Sequence, residues 1–236
     1  MSSACTSSVL SVVRKDMSKL SISVNNLSKR YNREWIFRNL NYTFEQGKTY
    51  AITGPNGSGK STLLQVLWGQ LPMSEGTLSY SLDGQSIESD AIFKLVSIAT
   101  PYMELIDEFT LSEQVAFHFK SRPVLNNYSH SEIISRIYLE QAGDKYISNF
   151  SSGMKQRLKL GLAFFTDTPA LFLDEPGTNL DRQAFTWYLE NLEQASANRL
   201  VFIASNQPEE YPKGAEIINL SDYKVITPQK AVTTPQ

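Results

Sequence analysis

The stretch "GPNGSGKST", Gly54 to Thr62, constrains this chain more than any other. It fits G-x-x-x-x-G-K-[ST] at every position. The apolar run "TYAIT" before it reads as a strand, and "STLLQVLWG" after it reads as a helix. A strand, a glycine-rich loop and a helix in that order turn successive backbone amides inward around an anion. The helix N-terminus adds its partial positive charge. Gly54, Pro55, Asn56, Gly57, Ser58, Gly59, Lys60, Ser61 and Thr62 are therefore the candidate cradle for nucleotide phosphates. Lys60 is placed to reach the β- and γ-phosphates, and Ser61 to ligate Mg²⁺.

A second stretch supplies the acids that such a loop needs. "LFLDEP", Leu171 to Pro176, ends an apolar run in two carboxylates. A continuous apolar run of this kind reads as a parallel strand buried on both faces. Asp174 is placed to hold Mg²⁺. Glu175, one residue on, is the candidate general base for an attacking water.

The rest of the chain fits around these two motifs. "LSISV", "LNYTFEQGKTYAIT" with a turn at Gln46–Gly47, and "GTLSYSLDG" read as strands. "TLSEQVAFHF" opens with Thr110 and Glu113 in capping-box spacing. "HSEIISRIYLEQAG" reads as a helix ending before Gly143, and "GMKQRLKLGLAFF" as another, bounded by Pro169. "RQAFTWYLENLEQAS" carries Phe185, Tyr188, Leu189 and Leu192 at amphipathic spacing, and the apolar run "LVFIAS" follows it. Strands alternating with helices in the second half imply a parallel sheet. The early strands imply an antiparallel layer beside it.

Composition narrows the function classes. A net charge of −2 over 236 residues supplies no basic field for nucleic acid or acidic lipid. The single cysteine, Cys5, permits no disulfide framework or cysteine metal site. No apolar run approaches the roughly 20 residues that span a bilayer. The start "MSSACTSSVLSVV" lacks a basic region before its short apolar patch, which argues against a signal peptide. Residues 1–19 read as a flexible extension in which Met17 is an alternative start, and residues 227–236 as a disordered tail.

Between the two motifs lies "FSSGMKQRLKLGLAF". Together with "GPNGSGKSTLL" and "LFLDEPGTNLD", it resembles the ATP-binding cassette family over about Leu20 to Ile226, and within it a single-cassette ATPase subunit of a bacterial transporter. The resemblance implies an α/β fold: a P-loop NTPase core with a mostly parallel sheet, an antiparallel β layer and a helical subdomain, here about residues 102–155. It also implies a dimer closing head to tail on two ATPs with Mg²⁺. The second cassette would be another copy or a relative. A separate transmembrane permease would be driven by the pair and would hold it at the inner face of the membrane. No nucleic acid is implied.

Residue by residue, the resemblance assigns further roles. Tyr31, in "LSKRYN", matches the aromatic that stacks on adenine, with Trp35 as the alternative. Ser151 and Gly153 match signature positions that contact the γ-phosphate of the partner's ATP. Asp181, in "TNLD", matches the loop aspartate that links the two sites, and it also reads as a helix N-cap.

Three departures from the family pattern stand out. The signature reads "FSSGM" where the family prefers L-S-G-G-Q, so Ser152 and Met154 replace a glycine and a glutamine. No glutamine occurs between Gln85 and Gln114, where the family carries one on the loop into the helical subdomain, which leaves Thr100, Tyr102 or Glu104 to fill that space. Asn206, in "VFIASNQPEEY", stands where the family usually places a histidine at the γ-phosphate. The only histidines, His118 and His130, precede the signature and read as surface or satisfied helix residues. An asparagine amide still donates a hydrogen bond, but it carries no charge near neutral pH as histidine can. The expectation is a slow ATPase, with Glu175 and Asn206 as its catalytic residues. The alternative is a regulatory or weakly hydrolysing cassette paired with another cassette or a non-transport partner.

Overall fold

The computed structural model describes residues 19–224. The expectations for the Ser-rich start, including Cys5 and Met17, and for the C-terminal tail fall outside the described residues, apart from Lys19 at the edge of the start.

Two sheets form the frame. The first is antiparallel: β2 (Glu34–Glu45), β1 (Leu20–Tyr31), β4 (Glu75–Leu82) and β5 (Gln85–Ile87), side by side in that order. The second is parallel in every pairing: β6 (Val96–Ala99), β7 (Ala170–Asp174), β8 (Leu200–Ala204), β3 (Thr49–Thr53) and β9 (Glu216–Asn219). Five helices complete the chain: α1 (Lys60–Leu67), α2 (Leu111–Ser121), α3 (His130–Arg136), α4 (Ser152–Phe164) and α5 (Arg182–Ser196).

The apolar run "ALFLD" is buried along its whole length, and period-2 alternation explains why. Leu171 and Leu173 pack with the helices α2 to α5 on one face. Ala170 and Phe172 pack with α1 and the antiparallel layer on the other. In β8, Val201 and Ile203 join the first core, while Leu200, Phe202 and Ala204 join the second. The parallel sheet is thus the wall between two hydrophobic cores, which forces both faces of its central strands to be apolar.

The turn at Gln46–Gly47 forms as expected, with Gly47 at φ 85°. The strands on its two sides do not pair with each other: β2 pairs with β1, and β3 with β8 and β9. The chain changes sheets there. Three short strands, β5, β6 and β9, are not among the expected elements. The helix expected up to Gly143 stops at Arg136 instead. Tyr138 takes a left-handed conformation at φ 55°, and a 3-10 turn follows at Glu140–Ala142. The cause is tertiary: Ile137 is fully buried against Gly161 of α4, where any Cβ would collide with its side chain. That contact ends the helix where sequence periodicity would carry it on.

The capping box at Thr110 and Glu113 is complete, as is a second at Ser129 and Glu132. His118 of α2 donates from Nε2 to Thr166 Oγ1 at 2.9 Å, since the Thr166 hydroxyl itself donates to Leu162 O. Burial, helped by Arg122, lowers its pKa from 6.5 to about 4. The unfolded chain therefore binds this proton first as pH falls, and the fold loses stability between about 6.5 and about 4. Equilibrium unfolding across that window should show a loss of roughly 1–3 kcal/mol from this group, and His118→Gln should flatten that part of the profile.

Candidate nucleotide site

The strand order decides which residues meet. β8 lies between β7 and β3, so the C-terminal tips of these three strands are neighbours. Open α/β sheets bind ligands outside such carboxyl ends. The loop Gly54–Gly59 leaves the tip of β3, Asp174 and Glu175 stand at the tip of β7, and Asn206 follows the tip of β8. A cavity of about 520 Å³ opens there. It is lined by Asn56, Gly57, Gly59, Lys60, Ser61, Thr62, Asp174 and Glu175, with Ile36, Pro101, Tyr102 and Thr178 at its walls.

Gly59 carries the sharpest demand on the loop. Its φ is 104°, and a Cβ there would run into Ile36 of β2. The loop thus fits tightly under the antiparallel layer. Gly59 also stands at the N-cap of α1 with no side-chain cap, and the first turn of α1 holds no acid. The open amides and the dipole of that helix face the cavity uncompensated.

Lys60 is 6% exposed, donates to Gly54 O at 2.9 Å and lies 3.6 Å from Glu175 Oε1. Without nucleotide its charge is held by a carbonyl and by the candidate base. Asp174 is 2% exposed, and its Oδ1 has no hydrogen-bond partner. Burial raises its pKa above the ordinary aspartate value, and Glu175 adds to the rise. The Ser61 hydroxyl and Lys60 pull it back down. A buried, orphaned carboxylate oxygen beside a serine hydroxyl fits a divalent cation. No group of three or more His, Cys, Asp or Glu that could hold a metal occurs among the described residues. That suits Mg²⁺, which takes one or two protein ligands and the rest from phosphates and water.

Glu175 takes a left-handed backbone at φ 47°, and its amide donates to Ala204 O at 2.9 Å. Asn206 spans to the phosphate loop: its Oδ1 accepts from Gly54 N at 3.0 Å, and its Nδ2 donates to Asn56 Oδ1 at 3.3 Å. Ser58 is buried within the loop, and its Oγ has no partner.

Gly54, Pro55, Ser58 and Asn206 are not in the cavity lining, nor are the other expected residues Tyr31, Ser151, Gly153 and Asp181. Tyr31, 45% exposed, ends β1, with Lys29 Nζ 5.1 Å from its ring. Trp35 lies between the guanidinium groups of Arg30 and Arg38, next to the cavity residue Ile36. Ser151 caps α4, its Oγ accepting from Met154 N at 3.2 Å. A Cβ at Gly153 would stand 2.9 Å from Asn179 O, so the signature packs on the loop after Glu175. Asp181 caps α5, accepting from Ala184 N at 2.8 Å. Neither Ser151 nor Gly153 lines the cavity of its own phosphate loop.

Of the three residues left for the missing glutamine, only Tyr102 lines the cavity. Thr100 lines a separate cavity with His118 and Arg122, and Glu104 lies in a surface groove beside Lys155 and Lys159. Lys159 of α4 donates to Pro101 O at 2.8 Å, which pins this loop to the signature helix. Sequence reasoning overlooked Ile36, Thr178 and Gln156. The Gln156 amide donates to Pro176 O at 2.9 Å and ties α4 to the loop after Glu175. Its buried place on a charged stretch of helix had no local signal.

Comparison with known proteins agrees with this geometry. A family model for the ABC transporter matches residues 37–178. An uncharacterized ABC transporter ATP-binding protein of Bacillus subtilis, YybJ, is 31% identical over 202 residues, 85% of this chain and 89% of that one. The sulfate/thiosulfate import ATP-binding protein CysA of Synechocystis is 30% identical over 87% of this chain and 59% of that longer protein. A solved ATP-binding subunit of an ABC transporter matches the fold at a TM-score of 0.71, with 21% identity, over 84% of this chain and 85% of that one. This chain belongs to the ABC transporter family, as one of its ATP-binding cassettes.

Proposed function

We propose that this chain hydrolyses ATP with Mg²⁺ slowly, pairs with a second cassette, and drives a separate membrane permease. The observation that carries it is the meeting of Lys60, Asp174, Glu175 and Asn206 at three adjacent strand tips. The relatives named for import of sulfate or thiosulfate work in transport, which supports a permease partner here. Among the described residues no helix is long and apolar enough to cross a membrane. A permease would therefore hold the cassette at the inner face of the membrane, on the cytoplasmic side. Residues 20–226 form the cassette in this reading, with a helical subdomain at about 102–155.

The residues take these roles in this reading, which the geometry and the family pattern support. The amides of the loop from Gly54 to Thr62 and the N-terminus of α1 cradle the phosphates. Lys60 leaves Gly54 O for the β- and γ-phosphates. Asp174 and Ser61 hold Mg²⁺, which when bound neutralises phosphate charge. Glu175 takes the proton of the attacking water. Tyr31 or Trp35 stacks on adenine at the edge of β1 and β2. Tyr102 covers the cavity on the side where the family has glutamine. Ser151 and Gly153, which do not line the cavity at their own phosphate loop, serve the partner's nucleotide. Asp181, at the head of α5, links the two sites.

Asn206 sets the rate. Its amide can donate hydrogen bonds but takes up no proton and no positive charge near neutral pH, so it stabilises charge at the γ-phosphate less than a histidine. Loss of such a contact costs about 2.7–4 kcal/mol when complete, and asparagine loses part of it. Asn206→His should therefore raise kcat about tenfold with KM for ATP little changed. Steady-state phosphate release checks this. An unchanged or lower kcat in a folded variant would remove Asn206 as the cause of slow turnover.

A further inference from the structure

One buried acid has no part in the scheme above. Glu210 ends the 3-10 turn Pro208–Glu210, four residues after Asn206. Its neighbour Glu209 is exposed, but Glu210 is 0% exposed. Neither of its carboxylate oxygens has a hydrogen-bond partner. A buried polar group without partners is costly, so its retention needs a reason.

The surroundings supply one. The side chain reaches under the loop that follows Glu175. A Cβ at Gly177 would collide with Glu210 Oε1, so the loop backbone lies directly on the carboxylate. The Ser205 hydroxyl and the Gly177 amide face the carboxylate closely enough to lower its pKa, while burial, the largest influence, and the charges of Glu175 and Glu209 raise it. Neither donor closes a hydrogen bond onto it. The Ser205 Oγ accepts from Gln207 N at 3.0 Å, which leaves its proton free. The backbone of Glu210 is held separately, its carbonyl accepting from the buried Tyr188 hydroxyl of α5. The side chain is left facing the Ser205 hydroxyl and the Gly177 amide.

We propose that Glu210 is a positioning residue: its carboxylate is the seat on which the loop Glu175–Leu180 rests, so that Asn206 and Glu175 are set by one buried group. The contacts run without a break. Asn206 bonds the phosphate loop at Gly54 N, and the turn that starts just after it carries Glu210. Glu210 lies against Gly177. The same loop receives Gln156 at Pro176 O and lies against Gly153 at Asn179 O. A movement of Asn206 on nucleotide binding would reach the signature helix through this seat.

The test uses the full chain and two readouts. The first, hydrogen–deuterium exchange over residues 175–180 without nucleotide, does not rest on the ATPase reading. The second, kcat and KM for ATP, does. Glu210→Ala should speed exchange of the loop and lower kcat about tenfold with KM within about threefold. Glu210→Gln keeps the shape and should stay within about threefold of the parent in kcat. Gly177→Ala should speed exchange and lower kcat in the parent, but add less in the Glu210→Ala background, where the collision with the carboxylate is gone and only the 3.0 Å approach to Phe185 remains. Additive effects of the two changes, Glu210→Gln as damaging as Glu210→Ala, or unchanged loop exchange in Gly177→Ala would overturn the proposal. If Glu210→Ala does not fold, the same pairing of Gly177→Ala with the shorter Glu210→Asp decides by exchange. If the parent releases no phosphate, the ATPase reading fails, and the exchange results still decide the seat.

Discussion

Lys60→Ala is expected to remove most of the affinity for ATP. Among the described residues Lys60 is the one cation lining the cavity, and it is 6% exposed. Its present partners, Gly54 O at 2.9 Å and Glu175 at 3.6 Å, keep it aimed into the phosphate loop. Hydrogen bonds to a charged group contribute about 1.5–3 kcal/mol each, so one lost contact weakens binding by roughly 10- to 150-fold. The loop itself should persist, because its shape rests on Gly59 under Ile36 and on Asn206 across Gly54 and Asn56. Titration with ATP measures the loss. Affinity within about threefold of the parent would remove Lys60 from the phosphate site.

Glu175→Gln is expected to stop turnover and leave binding in place. A positioned general base contributes about 10²- to 10⁴-fold, and among the described residues Glu175 is the only carboxylate besides Asp174 that lines the cavity. Asp174 is buried and held by Ser61, which suits it to a metal rather than to water. Glutamine matches the shape of glutamate and meets the same left-handed backbone at φ 47°, so the fold should not change. Single-turnover phosphate release should fall by at least about 100-fold, while ATP affinity stays within about threefold.

Much of this structure was legible in the sequence, and the parts that were not have physical causes. "GPNGSGKST" and "LFLDEP" carried their own context, a strand before a glycine loop and an apolar run ending in acids. Capping boxes are local, so Thr110 with Glu113 could be read directly. The strands β6 and β9 have four residues each, too few for a period to emerge. The end of α3 depends on Ile137 meeting Gly161, 24 residues away, which no window of sequence contains. At the site, the three residues left for the missing glutamine were equivalent on paper. The path of the loop, pinned by Lys159 at Pro101 O, brings Tyr102 alone of the three into the nucleotide cavity, though Tyr102 also shares the second cavity with Thr100. Glu209 and Glu210 are adjacent acids in the sequence, yet the first is exposed and the 3-10 turn buries the second. Asn206 was visible because a motif led the eye to it. Its bonds to Gly54 and Asn56 add what sequence lacks, a direct link between the β8 tip and the phosphate loop.

The most direct measurement is phosphate release by the purified full chain at saturating ATP and Mg²⁺, beside the Glu175→Gln variant. Slow release by the parent and release at least about 100-fold lower in the variant is the expected result. Release that is absent from the parent, or equal in the two proteins, would contradict the assignment of this cavity as an ATPase site.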